Sequence, residues 1–414
     1  MDRKRVVITG LGAVTALGSS VKKLWDGLVN GHSGIRRITH FDPSALPCQI
    51  AGEIPDFDPT EYMKRKEARR LPRSTQIAVG AAVQAVDDAG FPQVMPEPER
   101  TGLVFGTAMG GIDNLISGFK VFAAKGFQRL NPFVIPAGIP NLAGYAISER
   151  FQCLGPNMTI TTACATGTQT IGEGAELIRR GVADVVITGG TEALVQDYSI
   201  AAFAAMRALP VNYNDNPEQA SRPFDAKREG FVFSEGAAAV VIESLEHALK
   251  RGAKIYAEVL GHSSSTDGYH LAAPHPDGLG AIRTMQWALD DARIAPEEID
   301  YINAHGSSTP LNDPVETSAI KRVFGSHAYK LVVSSTKSML GHAMGASGAI
   351  EAIACALAIR TGIVPPTINY EHPDPACDLN YAPGQAIRMP VNIALSNSFG
   401  LGGQNACLVL KKFA

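Results

Sequence analysis

The chain has 414 residues, 45% of them hydrophobic and 19% charged, which is enough for two or three ordinary domains around a large core. Its formal net charge of -3 provides no global basic field for nucleic acid, and no apolar run approaches the roughly 20 residues that span a bilayer. Six scattered cysteines without CxxC spacing argue against a disulfide framework and a zinc ribbon. The N-terminus enters a predicted strand almost at once, without signal or transit features, so we expect a cytoplasmic protein.

Short β-branched runs alternate with alanine-rich stretches along the first half. RVVITG, TGLVFG, MTITTA, DVVITGG and AAAVVIES predict strands, whereas TQIAVGAAVQAVDDAG and TGTQTIGEGAELIRRG predict helices that end at glycine. The strands are almost continuously apolar, which is typical of strands covered on both faces in α/β layers. The polar, turn-rich residues 216–239 predict a loop over the surface or near a site entrance.

The second half repeats this order of elements. KIYAEVLG corresponds to RVVITGLG, DYINAHGSST to TGLVFGTAMGG, and NIALSNSFGLGG to DVVITGGTEA. The segment LVVSSTKSMLGHAMGASGAIEAIACALAIRTG corresponds to MTITTACATGTQTIGEGAELIRRG. The pattern therefore indicates two related α/β halves, residues 1–254 and 255–414, that share one core.

Cys164 is the first candidate for chemistry, because TTACATGT places it where a predicted strand gives way to a helix. The positive end of a helix dipole favours the thiolate, which is the reactive form of cysteine. Free cysteines are also among the most buried residue types. On this local pattern alone, a packing role is slightly favoured over a nucleophile.

Two histidine segments supply further candidates. His305 ends a predicted strand in NAHGSSTPLND, and His342 lies in SSTKSMLGHAMGASGAIEA between Lys337 and Glu351. Each histidine taken alone also fits a structural role in a loop or a packing turn. In the two-halves interpretation, Cys164 and His342 occupy equivalent strand-to-helix turns, so a cysteine and two histidines can meet as a nucleophile with two proton donors or acceptors.

Other sites have weaker support. GLGAVTALG is a near miss to the dinucleotide-binding fingerprint, and there is no HExxH pattern and no P-loop. A nicotinamide oxidoreductase is therefore a distant alternative. The densest basic segment, YMKRKEARRLPRS, predicts either a solvated helix face or a docking patch for an acidic partner.

The four ordered segments TTACATGT, NAHGSSTPLND, SSTKSMLGHAMGASGAIEA and SNSFGLGGQN resemble the β-ketoacyl-acyl carrier protein synthases, most closely the type II elongating enzymes. The similarity covers essentially the whole chain. It implies a thiolase-like fold with two pseudo-symmetric α/β halves in a five-layer αβαβα arrangement. It also implies a homodimer, an acyl carrier protein partner, no nucleic acid or membrane partner, and neither a metal nor a cofactor beyond the carrier's phosphopantetheine arm.

The resemblance implies a catalytic triad of Cys164, His305 and His342. The cysteine would take an acyl group from acyl carrier protein, and the histidines would assist decarboxylation of malonyl carrier protein before condensation. Supporting roles are also implied: catalytic support by Lys337, Glu351, Phe399 and Leu401, pantetheine binding by Ser307 and Thr309, an acyl pocket with Met109 and Leu401, and carrier-protein docking by Lys66, Arg69 and Arg70.

The sequence departs from the family pattern around the acyl pocket. Leu401 replaces the usual phenylalanine of the GFGG segment, Met109 stands where isoleucine is frequent, and GFVFSEGAAA replaces the commoner GFVMGEGAG. These departures keep open a ketosynthase of a specialised polyketide or lipid pathway. A catalytically silent partner subunit is a further alternative, although the intact Cys164 argues against it.

Overall fold

The computed structural model describes residues 3–413, and its main feature is a mixed sheet of ten strands, accompanied by two short two-stranded ladders. The strands are β1 (Val6–Thr15), β2 (Arg36–Arg37), β3 (Ile50–Ala51), β4 (Thr101–Gly106), β5 (Asn157–Ile160), β6 (Val185–Glu192), β7 (Gly236–Ser244), β8 (Ala257–Thr266), β9 (Tyr301–Asn303), β10 (Val332–Ser334), β11 (Ile363–Val364), β12 (Ile387–Arg388), β13 (Ile393–Gly400) and β14 (Gln404–Lys411).

Helices connect and cover these strands. They are α1 (Val21–Val29), α2 (Arg65–Ala68), α3 (Arg73–Asp88), α4 (Ile112–Lys125), α5 (Val134–Gly138), α6 (Leu142–Phe151), α7 (Thr166–Arg179), α8 (Asp197–Ala205), α9 (Leu245–Lys250), α10 (Leu279–Ala292), α11 (Asn312–Phe324), α12 (Lys337–Leu340) and α13 (Ser347–Thr361).

The strand order makes the internal repeat visible. It runs β10-β9-β13-β14-β8-β1-β7-β6-β4-β5, so β8 and β1 meet at the centre and the two halves follow the same order outward. The four predicted correspondences pair β1 with β8, β4 with β9, β5 with β10 and β6 with β13, as this order requires. Strand β14, the counterpart of β7, was not predicted. The boundary near residue 254 stays an interpretation of the repeat.

The two half-sheets enclose a central helical layer. They are joined by only two residue pairs between β1 and β8, Val7 with Glu258 and Ile8 with Ala257. Helices α7 and α13 pack against each other and against strands of both halves. A first outer apolar cluster lies between α3, α6 and the first half-sheet, and a second between α10, α11 and the second. This arrangement confirms the five layers that the resemblance implies.

The central layer is tightly packed because glycines line the contact between α7 and α13. A Cβ atom added at Gly348 would lie 2.5 Å from the backbone nitrogen of Thr168, and one at Gly167 would lie 2.5 Å from that of Ala349. Such distances are far below van der Waals contact. The two helices therefore approach backbone to backbone, which brings the turns that precede them close together.

Contrary to the expectation that no apolar run approaches a membrane span, the segment Met344–Thr361 has the helix length and hydropathy to cross a membrane, the one such stretch in the described chain, and 89% of it is buried within the fold. Its apolar composition follows from its position in the central layer, where α13 contacts both half-sheets.

The glycine contact predicts a specific loss of stability. Gly348→Ala should lower the free energy of unfolding by about 1–3 kcal/mol, because the added methyl group meets the backbone of Thr168. The matched control is Gly144→Ala in α6, whose new Cβ would meet only side-chain atoms, the nearest at 3.3 Å. Urea denaturation of both variants measures the difference, and an equal effect of the two substitutions would contradict the packing argument.

Candidate active site

Cys164 lies in a one-turn 3-10 helix, Ala163–Ala165, directly before α7. The second half has the same construction, because the turn Met344–Ala346 directly precedes α13. Both turns begin with a left-handed residue, Ala163 at φ 49° and Met344 at φ 42°. The turns are thus equivalent as predicted, although the residue that matches Cys164 is Gly345 and His342 stands just before the turn.

The three predicted catalytic residues come together. The sulfur of Cys164 and one ring nitrogen from each of His305 and His342 all lie within 4.8 Å of one another. The two imidazole rings have centroids 5.3 Å apart at an interplanar angle of 79°, and Phe399 lies 5.9 Å from the His305 ring. All three triad side chains are buried. A cysteine thiol and two imidazoles therefore share one buried site.

The electrostatics around Cys164 differ from the expectation that the helix end would maintain a thiolate. Burial raises the pKa of the Cys164 thiol to about 11, and the Leu401 backbone N–H and the Lys337 charge only partly offset this rise. The stabilising groups are present, but desolvation outweighs them. The resting cysteine is consequently a thiol at neutral pH.

Both histidines are neutral in the resting site. Burial lowers the pKa of His305 and of His342 well below 6.5, and the nearby charge of Lys337 lowers both further. His342 Nδ1 hydrogen-bonds with Ser347 Oγ at 2.9 Å, whereas its Nε2 and His305 Nδ1 make no hydrogen bond within residues 3–413. Neutral imidazoles can donate an N–H to a developing oxyanion without the desolvation cost of a buried cation.

Buried carboxylates position the histidine segments. Glu316 accepts hydrogen bonds from the backbone N–H groups of His305 and Gly306, both at 2.8 Å. Lys337 donates to Glu351, and both side chains are about 2% exposed. The sequence reasoning anticipated this last pair but missed Glu316 and Ser347. The sequence shows only their positions: Glu316 is an acid in the helix after His305, and Ser347 is a hydroxyl residue five positions after His342.

The segment 216–239 is largely buried and is not a loop over the surface, but its residues Gly230 and Phe231 line the cavity at the triad, as the alternative of a loop near a site entrance predicts. Val232 O accepts from His342 N at 2.7 Å, and Ser234 N donates to His342 O at 3.0 Å. The Phe231 ring meets the His342 ring edge-on at 5.4 Å. Most side chains from Ser221 to Glu235 are buried, because ion pairs and these backbone bonds satisfy the polar groups. The segment therefore holds His342 in place.

A cavity of about 360 Å³ leads to the triad. Four predicted residues line it besides the triad: Ser307, Thr309, Phe399 and Leu401. The hydroxyls of Ser307 and Thr309 lie 3.0 Å apart. Met109 lies outside this lining and packs with Leu401 in the apolar cluster that contains Cys164. Leu401 therefore borders both the cavity of the predicted pantetheine residues and the apolar cluster of Met109.

The predicted docking residues form a separate surface. Lys66, Arg69 and Arg70 are all exposed on or directly after α2. Lys66 and Arg70 line a second groove of about 620 Å³, in which the Arg70 guanidinium lies 5.7 Å from the Phe133 ring. The structure places these cations away from the residues that line the triad cavity.

Two groups of side chains in the described chain have the spacing of metal ligands. One is the triad itself, whose sulfur and imidazoles are donors that zinc prefers. The other comprises Glu176, His262 and Asp291, whose carboxylates already pair with Arg3 and Arg179 at 2.7–3.6 Å. Those arginines compensate the acidic charge, so the second group is better explained as an ion-pair network.

The raised pKa of Cys164 predicts a steep pH dependence of alkylation. Iodoacetamide should modify Cys164 about 10-fold faster per pH unit from neutral pH upward, because only the thiolate reacts. Intact mass against time measures the rate, with Cys164→Ser as the control for the other cysteines. A rate that levels off near neutral pH would contradict a pKa of about 11.

Comparisons with known proteins agree with this geometry. The family model described as β-ketoacyl synthase, N-terminal domain, matches residues 3–248, and the C-terminal domain model matches residues 256–371. The 3-oxoacyl-[acyl-carrier-protein] synthase 2 of Synechocystis sp. is 48% identical over 413 residues, covering 100% of this chain and 99% of that protein.

Solved structures give the same result. The ishigamide ketosynthase/chain length factor has a TM-score of 0.93 at 38% identity, with 100% of both chains covered. A second structure has a TM-score of 0.91 at 33% identity, again with 100% of both chains covered. It is described as a type II polyketide synthase acyl-carrier protein in complex with its ketosynthase bound to the hexaketide. The chain therefore belongs to the β-ketoacyl synthase family.

Proposed function

We propose that this protein is a β-ketoacyl-acyl carrier protein synthase that extends fatty acyl chains by two carbons. The observation that carries the proposal is the convergence of Cys164, His305 and His342 within 4.8 Å in a buried site. The Synechocystis relative, named 3-oxoacyl-[acyl-carrier-protein] synthase 2, supports the same reaction.

In the first stage, the sulfur of Cys164 attacks the thioester carbonyl of an acyl carrier protein. A carbon–sulfur bond forms to the enzyme, the bond to the carrier's thiol breaks, and the proton of Cys164 ends on that departing thiol. The backbone N–H groups of Cys164 and Leu401 are proposed to bind the oxyanion. The effect of the Leu401 N–H on the Cys164 pKa supports this role, because it shows a donor directed at the sulfur.

In the second stage, malonyl carrier protein loses carbon dioxide and leaves an enolate. The neutral His305 and His342 would each donate an N–H to its thioester oxygen, and each preorganised donor is worth roughly 3 kcal/mol of barrier. The enolate carbon then attacks the acyl carbonyl on Cys164. The sulfur leaves as a thiolate and takes up a proton from solvent, and the β-ketoacyl group stays on the carrier.

No cofactor beyond the substrate's own arm is needed for this reaction. We assign Ser307 and Thr309 to hold the phosphopantetheine arm, because their hydroxyls line the cavity that reaches Cys164. Phe399 would shape the malonyl site from its position beside His305. Lys337 and Glu351 would support the histidines through their buried pair.

Acyl carrier protein is the proposed partner, and Lys66, Arg69 and Arg70 are its proposed docking residues. Three exposed cations on one short segment suit an acidic protein surface. The related ketosynthase in complex with an acyl-carrier protein supports the choice of partner.

We also propose a homodimer in the cytoplasm. Strand β5 stands at one edge of the sheet, and Met158 on it is 37% exposed. Helix α4 has no buried residue and exposes Phe119 and Phe122. A sheet edge and exposed aromatic side chains each suit pairing with a second copy. The six free cysteines suit a reducing compartment.

A specialised polyketide or lipid pathway is the second candidate. Two of the similar structures are an ishigamide ketosynthase/chain length factor and a ketosynthase bound to a hexaketide. The side chains of Leu401 and Met109 beside Cys164 differ from the elongation pattern, which is where a different acyl chain would lie.

The triad predicts separable losses of activity. Cys164→Ala should abolish covalent acyl loading, whereas His305→Ala and His342→Ala should each slow malonyl decarboxylation by about 100- to 1,000-fold. Intact mass detects loading and carbon dioxide release detects decarboxylation. Acyl groups that still attach to Cys164→Ala would contradict the nucleophile, and a wild-type protein that cannot decarboxylate would favour a silent partner.

A series of acyl lengths in the same loading assay separates the two pathways. Efficient loading of medium and long saturated chains supports fatty acid elongation. Loading restricted to unsaturated or keto-substituted chains supports the specialised pathway.

The docking surface predicts a change in apparent affinity. Reversing Lys66, Arg69 and Arg70 to glutamate should raise the KM for acyl carrier protein at least about 10-fold with little change in kcat, and added salt should reduce the difference. The control is Lys250→Glu, exposed on α9 beyond the far end of β7. An unchanged KM in the triple variant would contradict docking at this surface.

A further inference from the structure

Glu192 is a buried carboxylate that the proposed reaction does not use. It is the last residue of β6 and is 0% exposed. No ion pair within residues 3–413 includes it. Its oxygens instead accept from Ala108 N at 2.8 Å, Thr107 Oγ1 at 3.1 Å and Gly345 N at 3.3 Å. A buried carboxylate satisfied by neutral donors fixes the positions of those donors.

These donors belong to two segments beside the nucleophile. Thr107 and Ala108 begin the loop that carries Met109, and Thr107 Oγ1 extends the network by accepting from Gly110 N at 3.0 Å. Gly345 belongs to the turn that begins with Met344.

The two segments also touch directly, and their methionines meet the same cluster. A Cβ atom at Gly345 would lie 2.4 Å from the Ala108 nitrogen. Met109 and Met344 both pack in the apolar cluster that contains Cys164. One carboxylate therefore joins the backbones of the two methionine-bearing segments, one from each half of the chain.

We propose that Glu192 is a positioning residue for the acyl chain: its carboxylate holds Met109 and Met344 as a fixed apolar wall against which an acyl group on Cys164 lies. The inference rests on the proposed function, because it concerns the acyl group loaded there. A two-carbon acyl group is too short to depend on the wall, whereas a chain of about ten carbons would bury most of its methylenes against it.

Protonation of Glu192 should change how firmly the wall is held, and this change depends on pH. Burial raises the pKa of Glu192 to about 7, and the Ala108 N–H is the main group that opposes the rise. The other titratable groups near this junction are Cys164, whose pKa is about 11, and the neutral His342. The positive charge nearest the cysteine is Lys337. A protonated Glu192 accepts fewer hydrogen bonds, so the wall should loosen as the pH falls below neutral.

The test compares wild type with Glu192→Gln in single-turnover loading of Cys164 by two-carbon and ten-carbon acyl carrier proteins. At about pH 8.5, loading of the long chain should fall about 10-fold or more and that of the short chain less than about 3-fold. At about pH 5.5, where wild-type Glu192 is protonated, the two proteins should load at similar rates. Equal losses for both chains, or a difference that persists at low pH, would overturn the proposal.

Two further variants distinguish loss of the wall's position from a general loss of stability. Glu53→Gln removes another buried carboxylate that accepts backbone N–H groups, those of Thr39 and His40, and should show no dependence on chain length. If Glu192→Gln does not fold, Thr107→Val removes one donor to the same carboxylate and should give a smaller loss in the same direction.

Hydrogen exchange distinguishes failure of this inference from failure of the proposed function. The amides of Ala108 and Gly110 should exchange faster in Glu192→Gln at neutral pH, because their network is lost. Unchanged exchange at both amides would overturn the inference even in an active enzyme. A wild-type protein that loads no acyl group would contradict the proposed function, while the exchange result would still decide whether Glu192 holds the wall.

Discussion

The structure depends on the close approach of α7 and α13 in the central layer. Helices with side chains at their contact lie 8–10 Å apart, whereas Gly167 and Gly348 let these two backbones meet with no room for a methyl group. Each helix is preceded by a tight turn with a left-handed first residue. The turn that contains Cys164 and the turn that follows His342 are therefore held together by the packing of the core itself.

Burial at this contact also sets the chemistry of the site. The same desolvation that raises the pKa of Cys164 lowers those of His305 and His342, so the resting site carries a thiol and two neutral imidazoles. Lys337 and Glu351 form a buried ion pair, whereas Glu192 and Glu316 accept hydrogen bonds from neutral groups of the backbone. A buried site whose thiol and imidazoles are neutral suits a reaction in which charge develops on a thioester oxygen, because preorganised N–H donors act strongly in a low dielectric.

Much of the architecture was predictable because local pattern and global fold agree. The run TGLVFG coincides with β4, and the repeated order of elements anticipated the symmetric sheet. Polarity left two positions open for residues 216–239, over the surface or near a site entrance, and tertiary contacts decided between them: the backbone pairs with His342, much of the segment is buried, and Phe231 lines the cavity at the triad. The helix-end argument for Cys164 also failed, because a sequence does not reveal how completely a turn is desolvated.

By itself, the sequence determined the alternation of strands and helices, the doubled order of the two halves, and the residue types able to perform acyl transfer. Local propensity and short motifs carry that information, because each is written within a few neighbouring residues. Only the tertiary structure decided that Ser347 meets the His342 ring, that Glu316 holds the His305 backbone, and that Glu192 joins the two halves beside Cys164. The Glu192 contact joins residues 153 positions apart, whereas the other two depend on how a turn and the helix after it are arranged. The electrostatics of all three contacts follow from burial, which exists only once the core has formed.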